Sequence, residues 1–274
     1  MQEYLMRIET FTTDTFQMDY LCFGHGKTPL VIFPGLSVQS VMGFADAVAN
    51  AYSPLTDDFT IYVFDRRREL PEQYSIYDMA EDSAEALRTL QPGPVCLFGA
   101  FQGGMIAISI ALSHPQLVQR LILGSTAACI TQRSQDLFES WIRLAKEGKA
   151  EELYLSFGQA IYPQTIFEQS RGLLIEAAKT VTEEELSRFV ILAGAIIGFD
   201  VADELKKITC PVLVIGSKDD QVLGAEASYQ IAKRFKDRTD CELFMYDGYG
   251  HAAYDTAPDY KERIHHFFIS ESTA

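Results

Sequence analysis

Short apolar runs of four or five residues punctuate this chain, with amphipathic stretches between them. They are Leu30-Val31-Ile32-Phe33, Thr60 to Phe64, Val95 to Phe98, Leu121 to Gly124, Val212 to Gly216 and Glu242 to Tyr246. The most apolar of them read as strands buried on both faces, the pattern of a parallel sheet. The intervening segments read as helices. Ser75 and Asp78 have the spacing of an N-cap and its N3 partner for a helix running through Leu90. A second helix follows Gly103-Gly104 and stops at His114-Pro115. Strand and helix in alternation predict a doubly wound α/β sheet.

The rhythm changes between about Thr126 and Asp203, where no strand pattern occurs. Segments around Ser134–Glu147, Ala150–Ala160, Ile166–Ala178 and Glu183–Ile197 carry helical periodicity instead. The expected organisation is an α/β core of residues 1–127 and 204–274, interrupted by a helical insertion over 128–203. The insertion holds the chain's single tryptophan, Trp141, with Tyr154, Phe157, Tyr162 and Phe167. These aromatics suit ordinary helix packing. They also suit a lid that keeps water from a site beneath it.

The 274 residues, 47% hydrophobic and 22% charged, suffice for one large α/β domain with an insertion. No run reaches the roughly 18–20 apolar residues of a membrane span. The segment Met1 to Arg7 shows neither an apolar signal core nor a cleavage site, so no leader is expected. Five cysteines, Cys22, Cys96, Cys129, Cys210 and Cys241, are odd in number and scattered, which fits reduced thiols and a cytoplasmic protein. A formal net charge of −15 argues against nucleic acid and against an anionic membrane surface as partners. No His, Cys and Asp set has metal-ligand spacing, and neither a metal nor another cofactor is expected. Gly24-His25-Gly26-Lys27-Thr28 lacks the glycine spacing of a phosphate loop and leads into no helix.

The densest chemical signal is Val95-Cys96-Leu97-Phe98-Gly99-Ala100-Phe101-Gln102-Gly103-Gly104. An apolar strand enters a cluster of tiny residues and a helix leaves it, the layout of the G-x-S-x-G nucleophile elbow. Gly99 and Gly103 hold the two glycine positions, and Phe101 stands at the apex. Phenylalanine has no group that can attack a carbonyl. Downstream, Asp219 follows the fifth apolar run, where open α/β sheets present ligand-binding residues. His251 follows the sixth in Gly248-Tyr249-Gly250-His251. Elbow, acid and histidine occur in the chain order of a hydrolase triad. His25, His114, His265 and His266 read as structural or solvent-facing.

With these stretches together, the chain resembles the α/β-hydrolase superfamily, and within it the bacterial capped hydrolases of esterase, lactonase and proline-iminopeptidase type. Phe33-Pro34-Gly35-Leu36-Ser37, Tyr74 to Ala80, Gly99 to Ala107, Cys210 to Gly216 and Gly248 to His251 carry the resemblance. It implies an eight-stranded, mostly parallel sheet and a helical cap. It implies Asp219 as triad acid, His251 as base, and an oxyanion hole from the backbone N–H groups of Leu36 and Gln102. It places a nucleophilic serine where this chain has Phe101. Three readings stay open: a serine hydrolase of small apolar esters, lactones or thioesters altered at this position; a non-catalytic binder using the old pocket; and an Asp–His dyad working without a nucleophile. In each, the partner is a small apolar acyl compound.

Overall fold

The structure, a computed structural model, describes residues 6–90 and 93–270. The reading of Met1 to Leu5 as lacking a leader therefore lies outside the described residues. The strands are β1 (Arg7–Thr12), β2 (Gln17–Gly24), β3 (Thr28–Phe33), β4 (Phe59–Arg67), β5 (Val95–Ala100), β6 (Val118–Gly124), β7 (Val212–Ser217) and β8 (Cys241–Tyr246). They form one sheet in the order β1-β2-β4-β3-β5-β6-β7-β8. β1 and β2 pair antiparallel, as do β2 and β4. From β4 to β8 every pairing is parallel. The helices are α1 (Ala45–Ala51), α2 (Ile76–Leu90), α3 (Gln102–Ser113), α4 (Gln132–Lys146), α5 (Ala150–Ile161), α6 (Gln164–Ala178), α7 (Glu183–Gly194), α8 (Ala225–Arg234), α9 (Ala253–Thr256) and α10 (Tyr260–Ile269).

All six expected strands form. β5 and β7 are buried from end to end, which explains their unbroken apolar sequences. Because side chains alternate across a strand, each divides between two cores. Val31, Leu97, Leu121 and Val214 face one core with α2, α3 and α8. Ile32, Phe98, Ile122 and Ile215 face the other with α1 and α10. β8 differs: it pairs only with β7, and Glu242 and Leu243 are exposed on this edge. β1 and β2 have no counterpart among the apolar runs. β1 is mostly exposed and has only two apolar residues, Ile8 and Phe11, so no continuous apolar signal marks it.

The Ser75–Asp78 cap forms reciprocally. The Ser75 N–H donates to the Asp78 carboxylate at 2.8 Å, and the Asp78 N–H donates to Ser75 Oγ at 3.2 Å. α3 is apolar around its whole circumference and almost wholly buried. It lies between the sheet and α2, so it has no water-facing side on which to place polar residues.

Four helices, α4 to α7, stand between β6 and β7. α4 packs against α5 and α7, and α5 against α6. Trp141 is fully buried, its Nε1 donating to Ser156 Oγ at 3.1 Å. Thr182 and Glu185 form a capping box at the start of α7. α7 ends at Gly194, short of the expected Ile197. The Ile196 and Ile197 N–H groups instead reach the carbonyls of Ala193 and Gly194, tightening the chain into three-residue turns before Gly198 at φ 81°. Among the described residues, no helix is long and apolar enough to cross a membrane.

Candidate active site

The C-terminal ends of β3, β5, β6 and β7 lie on one edge of the sheet, and the chain leaves each through a turn. After β5 that turn is sharp. Phe101 has φ 48° and ψ −113°, a backbone conformation that L-residues seldom adopt and that costs roughly 1–3 kcal/mol. Hydrogen bonds hold it there. Its N–H donates to the Gly124 carbonyl at 2.9 Å. Its own carbonyl accepts from Thr126 Oγ1 at 2.6 Å and from the Gly104 N–H at 3.0 Å. Two glycines are sterically required. A Cβ at Gly103 would stand 2.0 Å from the Phe33 carbonyl oxygen, and one at Gly99 would stand 2.4 Å from the Gly103 oxygen. The elbow expected from small-residue spacing is present.

The apex side chain projects out of the sheet edge. Phe101 is 2% exposed, and its ring meets His251 edge-on, centroids 4.9 Å apart at 88°. On its other side it packs against Phe138 of α4 at 5.8 Å. Gly35 closes a third side: a Cβ added there would lie 3.5 Å from Phe101 Cβ. The aromatic contacts continue from Phe138 through Trp141 and Phe157 to Phe189, into the interior of the insertion.

His251 is completely buried, and its Nδ1 lies 2.8 Å from Asp220 Oδ2. This corrects the expectation for Asp219. The turn after β7 directs Asp219 toward the histidine loop, where its carboxylate accepts from the N–H groups of Gly248 at 3.1 Å and Gly250 at 3.0 Å. It also accepts from the Ser217 hydroxyl at 2.7 Å. Asp220 turns inward ahead of the apolar pair Val222-Leu223. Its Oδ1 takes both of their N–H groups, at 2.8 and 2.9 Å, leaving Oδ2 for the imidazole. Spacing from Gly216 cannot separate two adjacent carboxylates. The apolar pair after the second was the available signal. Burial alone would raise the Asp220 pKa; the opposing charge and hydrogen bond of His251, with the two backbone donors, outweigh it and hold the carboxyl below its ordinary range. The far nitrogen of the imidazole, Nε2, is buried and has no partner among the described residues.

Leu36 is buried in the loop after β3, and Gln102 is the first residue of α3, where helix N–H groups lack intrahelical acceptors. Behind them lies a residue that the sequence did not single out. The Arg66 Nη2 donates to the Pro34 carbonyl at 2.8 Å and to Gln102 Oε1 at 3.1 Å. Gln102 Nε2 in turn donates to the Leu192 carbonyl of α7 at 2.6 Å. Arg188, also on α7, donates to the carbonyls of Arg66, Arg67 and Arg68 at 2.7–3.1 Å. The insertion is thus hydrogen-bonded to the core at the rim of the site.

Three of the other four histidines make contacts away from this cluster, His25 with Asp57, His114 with Glu81 and His265 with Asp58, and the fourth, His266, lies on α10. Among the described residues, no group of three or more His, Cys, Asp or Glu side chains is placed to hold a metal ion.

An elbow after β5, an acid after β7 and a histidine after β8 on a mostly parallel eight-stranded sheet define the comparison to make. The family model described as serine aminopeptidase, S33, matches residues 72–255, about two thirds of the chain. The chain belongs to this family, and so to the α/β-hydrolase superfamily. Among curated proteins it is 28% identical over 246 residues to RutD of Serratia proteamaculans (strain 568), provisionally named a carbamate hydrolase, covering 84% of this chain and 88% of that one. RutD of Stutzerimonas stutzeri (strain A1501), named likewise, is 27% identical over 234 residues, 82% of this chain and 88% of its own. Among solved structures the family fold recurs in MGS-M2, an α/β-hydrolase enzyme from a Medee basin deep-sea metagenome library. It superposes with a TM-score of 0.86 at 20% identity over 97% of this chain and 99% of its own. The enol-lactonase of Burkholderia xenovorans LB400 superposes at 0.81 and 18% identity, over 96% and 100% of the two chains.

Proposed function

We propose that this chain is a capped α/β-hydrolase whose serine chemistry is blocked at one position while its acid–base pair stays assembled. One observation carries the reading: the Phe101 ring, at the strained apex, lies edge-on to His251 with centroids 4.9 Å apart. The side chain at that apex is the one that meets the imidazole. A serine there would have its hydroxyl directed at the buried, unpartnered Nε2. Asp220 would hold the ring by Nδ1 and stabilise the imidazolium formed when the hydroxyl proton moves. The N–H groups of Leu36 and Gln102 would receive the oxyanion. Phe101 can neither give up a proton nor form an acyl-enzyme.

The reaction the scaffold is built for is acyl transfer from a small, largely apolar ester, thioester, lactone or carbamate to water. The carbamate enters through the names of the RutD relatives. Phe138, which packs on the Phe101 ring, would supply an apolar wall for such a group once that ring is replaced by serine. Burial weighs against a dyad working alone on water, because His251 is 0% exposed beneath Phe101 and Phe138. The non-catalytic binder is the second reading, favoured by the packing of Phe101 into both core and cap.

The test is Phe101→Ser beside the parent, each challenged with a fluorophosphonate and with aryl acetates and aryl carbamates. The expected result is stoichiometric labelling at position 101 and turnover in the variant, with neither in the parent. A folded variant that is inert to every acyl substrate and unlabelled would overturn the hydrolase reading in favour of the binder. A burst of product from the parent would place the nucleophile elsewhere.

A further inference from the structure

β8 is the last strand of the sheet, and its outer edge is bare. It pairs only with β7, in continuous register from Cys241 to Tyr246. The Val212 N–H donates to the Asp240 carbonyl at 3.0 Å, and the Lys218 N–H donates to the Tyr246 carbonyl at 2.9 Å. Backbone groups alternate along a parallel ladder, so Glu242 and Phe244 turn toward β7 with these two. Cys241, Leu243 and Met245 point their N–H and C=O groups outward, where they have no hydrogen-bond partner among the described residues. Natural edges are commonly blunted by charge, proline or a bulge. The opposite edge, β1, carries both Arg7 and Glu9. β8 has no proline, lysine or bulge, and its one charge is Glu242.

The side chains of β8 divide between two faces. Leu243 lies opposite Val214, on the face covered by α8, and is 39% exposed; Tyr229 of α8 is 41% exposed. Glu242 and Phe244 lie opposite Leu213 and Ile215, on the face covered by α10. There the Arg263 guanidinium stands 3.4 Å from the centroid of the Phe244 ring. Its Nε donates to the Tyr246 hydroxyl at 3.1 Å and its Nη2 to Asp259 at 2.7 Å, which leaves Nη1 for a further acceptor. Glu242 is exposed, with no cation paired to it among the described residues. A cavity of about 330 Å³ between this edge and α10, lined by Glu242, Phe244 and Arg263, leaves room for incoming side chains.

We propose that the β8 edge is the interface for a second copy of this chain, the two β8 strands running antiparallel about a two-fold axis at Leu243. Backbone and charge select this register together. An axis between residues would set outward groups against inward ones. An axis at Glu242 would oppose the two Glu242 carboxylates and use only Cys241 and Leu243. An axis at Phe244 would bring the two Arg263 guanidinium groups together and use only Leu243 and Met245. With the axis at Leu243, that residue meets its own copy and Cys241 meets Met245, so every outward N–H and C=O is used. Glu242 then lies across from Phe244 of the second copy, within side-chain reach of the Arg263 that covers it, and symmetry makes the contact twice. The pairing needs no chemistry at the elbow, and the inference goes beyond the hydrolase reading without depending on it.

Sedimentation equilibrium and light scattering of the parent chain over a hundredfold range of concentration measure the association. The expected result is a reversible equilibrium between a 30.7 kDa monomer and a dimer of twice that mass. Leu243→Lys places a charge on the axis, and Glu242→Arg sets a second cation against Arg263. Each should raise the dissociation constant at least tenfold with the circular dichroism spectrum unchanged. Cross-linking reads the register. Under oxidation by copper phenanthroline, Leu243→Cys should form a covalent dimer, because residues facing each other on the axis lie within disulfide reach. The parent and Glu242→Cys should not. A parent that stays monomeric over the whole range overturns the proposal. So does a dimer that either charged substitution leaves intact, which would sit on another face. Self-linking by Glu242→Cys but not by Leu243→Cys overturns the register. The parent's mass and the cysteine variants decide the matter even if a charged variant fails to fold.

Discussion

Replacing Phe101 tests whether its ring is a packed plug or an idle substitution, and the expected energies separate by side chain. The ring is 2% exposed and packed between His251 and Phe138. Truncating such a residue to alanine removes the transfer free energy of the ring and leaves a cavity, for a loss of about 3–5 kcal/mol. Serine leaves nearly the same cavity, but its hydroxyl meets the orphan Nε2 of His251. That hydrogen bond returns about 0.5–1.5 kcal/mol, so Phe101→Ser should be the more stable of the two by about 1 kcal/mol. The backbone strain at φ 48° is shared by Phe, Ser and Ala and drops out of that comparison. Glycine alone relieves it, gaining about 1–3 kcal/mol and losing about 0.5–1 to unfolded-chain entropy, so Phe101→Gly should also exceed Phe101→Ala in stability. Equilibrium urea unfolding of the three variants and the parent measures all of this. In a His251→Ala background the serine advantage should vanish. A Phe101→Ala loss below about 1 kcal/mol would refute the packed plug, and a serine no better than alanine would refute the placement of Nε2 at the apex.

The neighbouring acids should differ in the same assay. Asp220→Asn weakens the buried carboxylate–imidazole hydrogen bond and should cost about 2–4 kcal/mol, whereas Asp219→Asn weakens half-exposed backbone contacts and should cost about 1 kcal/mol. The reverse order would return the histidine to Asp219. The Asp220 pKa is lowered on folding, so its contribution is present above the unfolded value near 4 and is lost as pH falls through the folded one. Acid unfolding curves should steepen below about pH 4, and Asp220→Asn should remove that component. Gly103→Ala would place a methyl 2.0 Å from the Phe33 carbonyl oxygen and should abolish soluble folded protein, while Gly43→Ala, where a Cβ meets nothing within 4 Å, should change stability by under about 0.5 kcal/mol. Circular dichroism of the two variants checks this, and a well-folded Gly103→Ala would mean that the elbow is looser than described.

Much of this molecule was legible along the chain because its determinants are local. Strands covered on both faces need unbroken apolar runs, so β3, β5, β6 and β7 announced themselves. The elbow was visible because backbone atoms approach within contact of Gly99 and Gly103, and no larger residue fits there. The loss of alternation after β6 exposed the four inserted helices for the same reason. What remained hidden depends on which way a side chain turns. Asp219 and Asp220 are chemically identical neighbours, and only the course of the turn after β7 sends one to the glycine loop and the other to His251. β1 carries too few apolar residues to register, because a strand at a sheet edge is half solvated. Arg66 lies in a run of three arginines, and residue type alone does not say which of them is buried. Its burial behind Pro34 and Gln102 follows from the packing of α7 over the end of β4, a contact between segments more than a hundred residues apart. Residue type and spacing determined the scaffold and the phenylalanine at the apex of the elbow; the direction of each side chain, and so the partner of His251 and the burial of Arg66, was decided by tertiary packing, which no local pattern encodes.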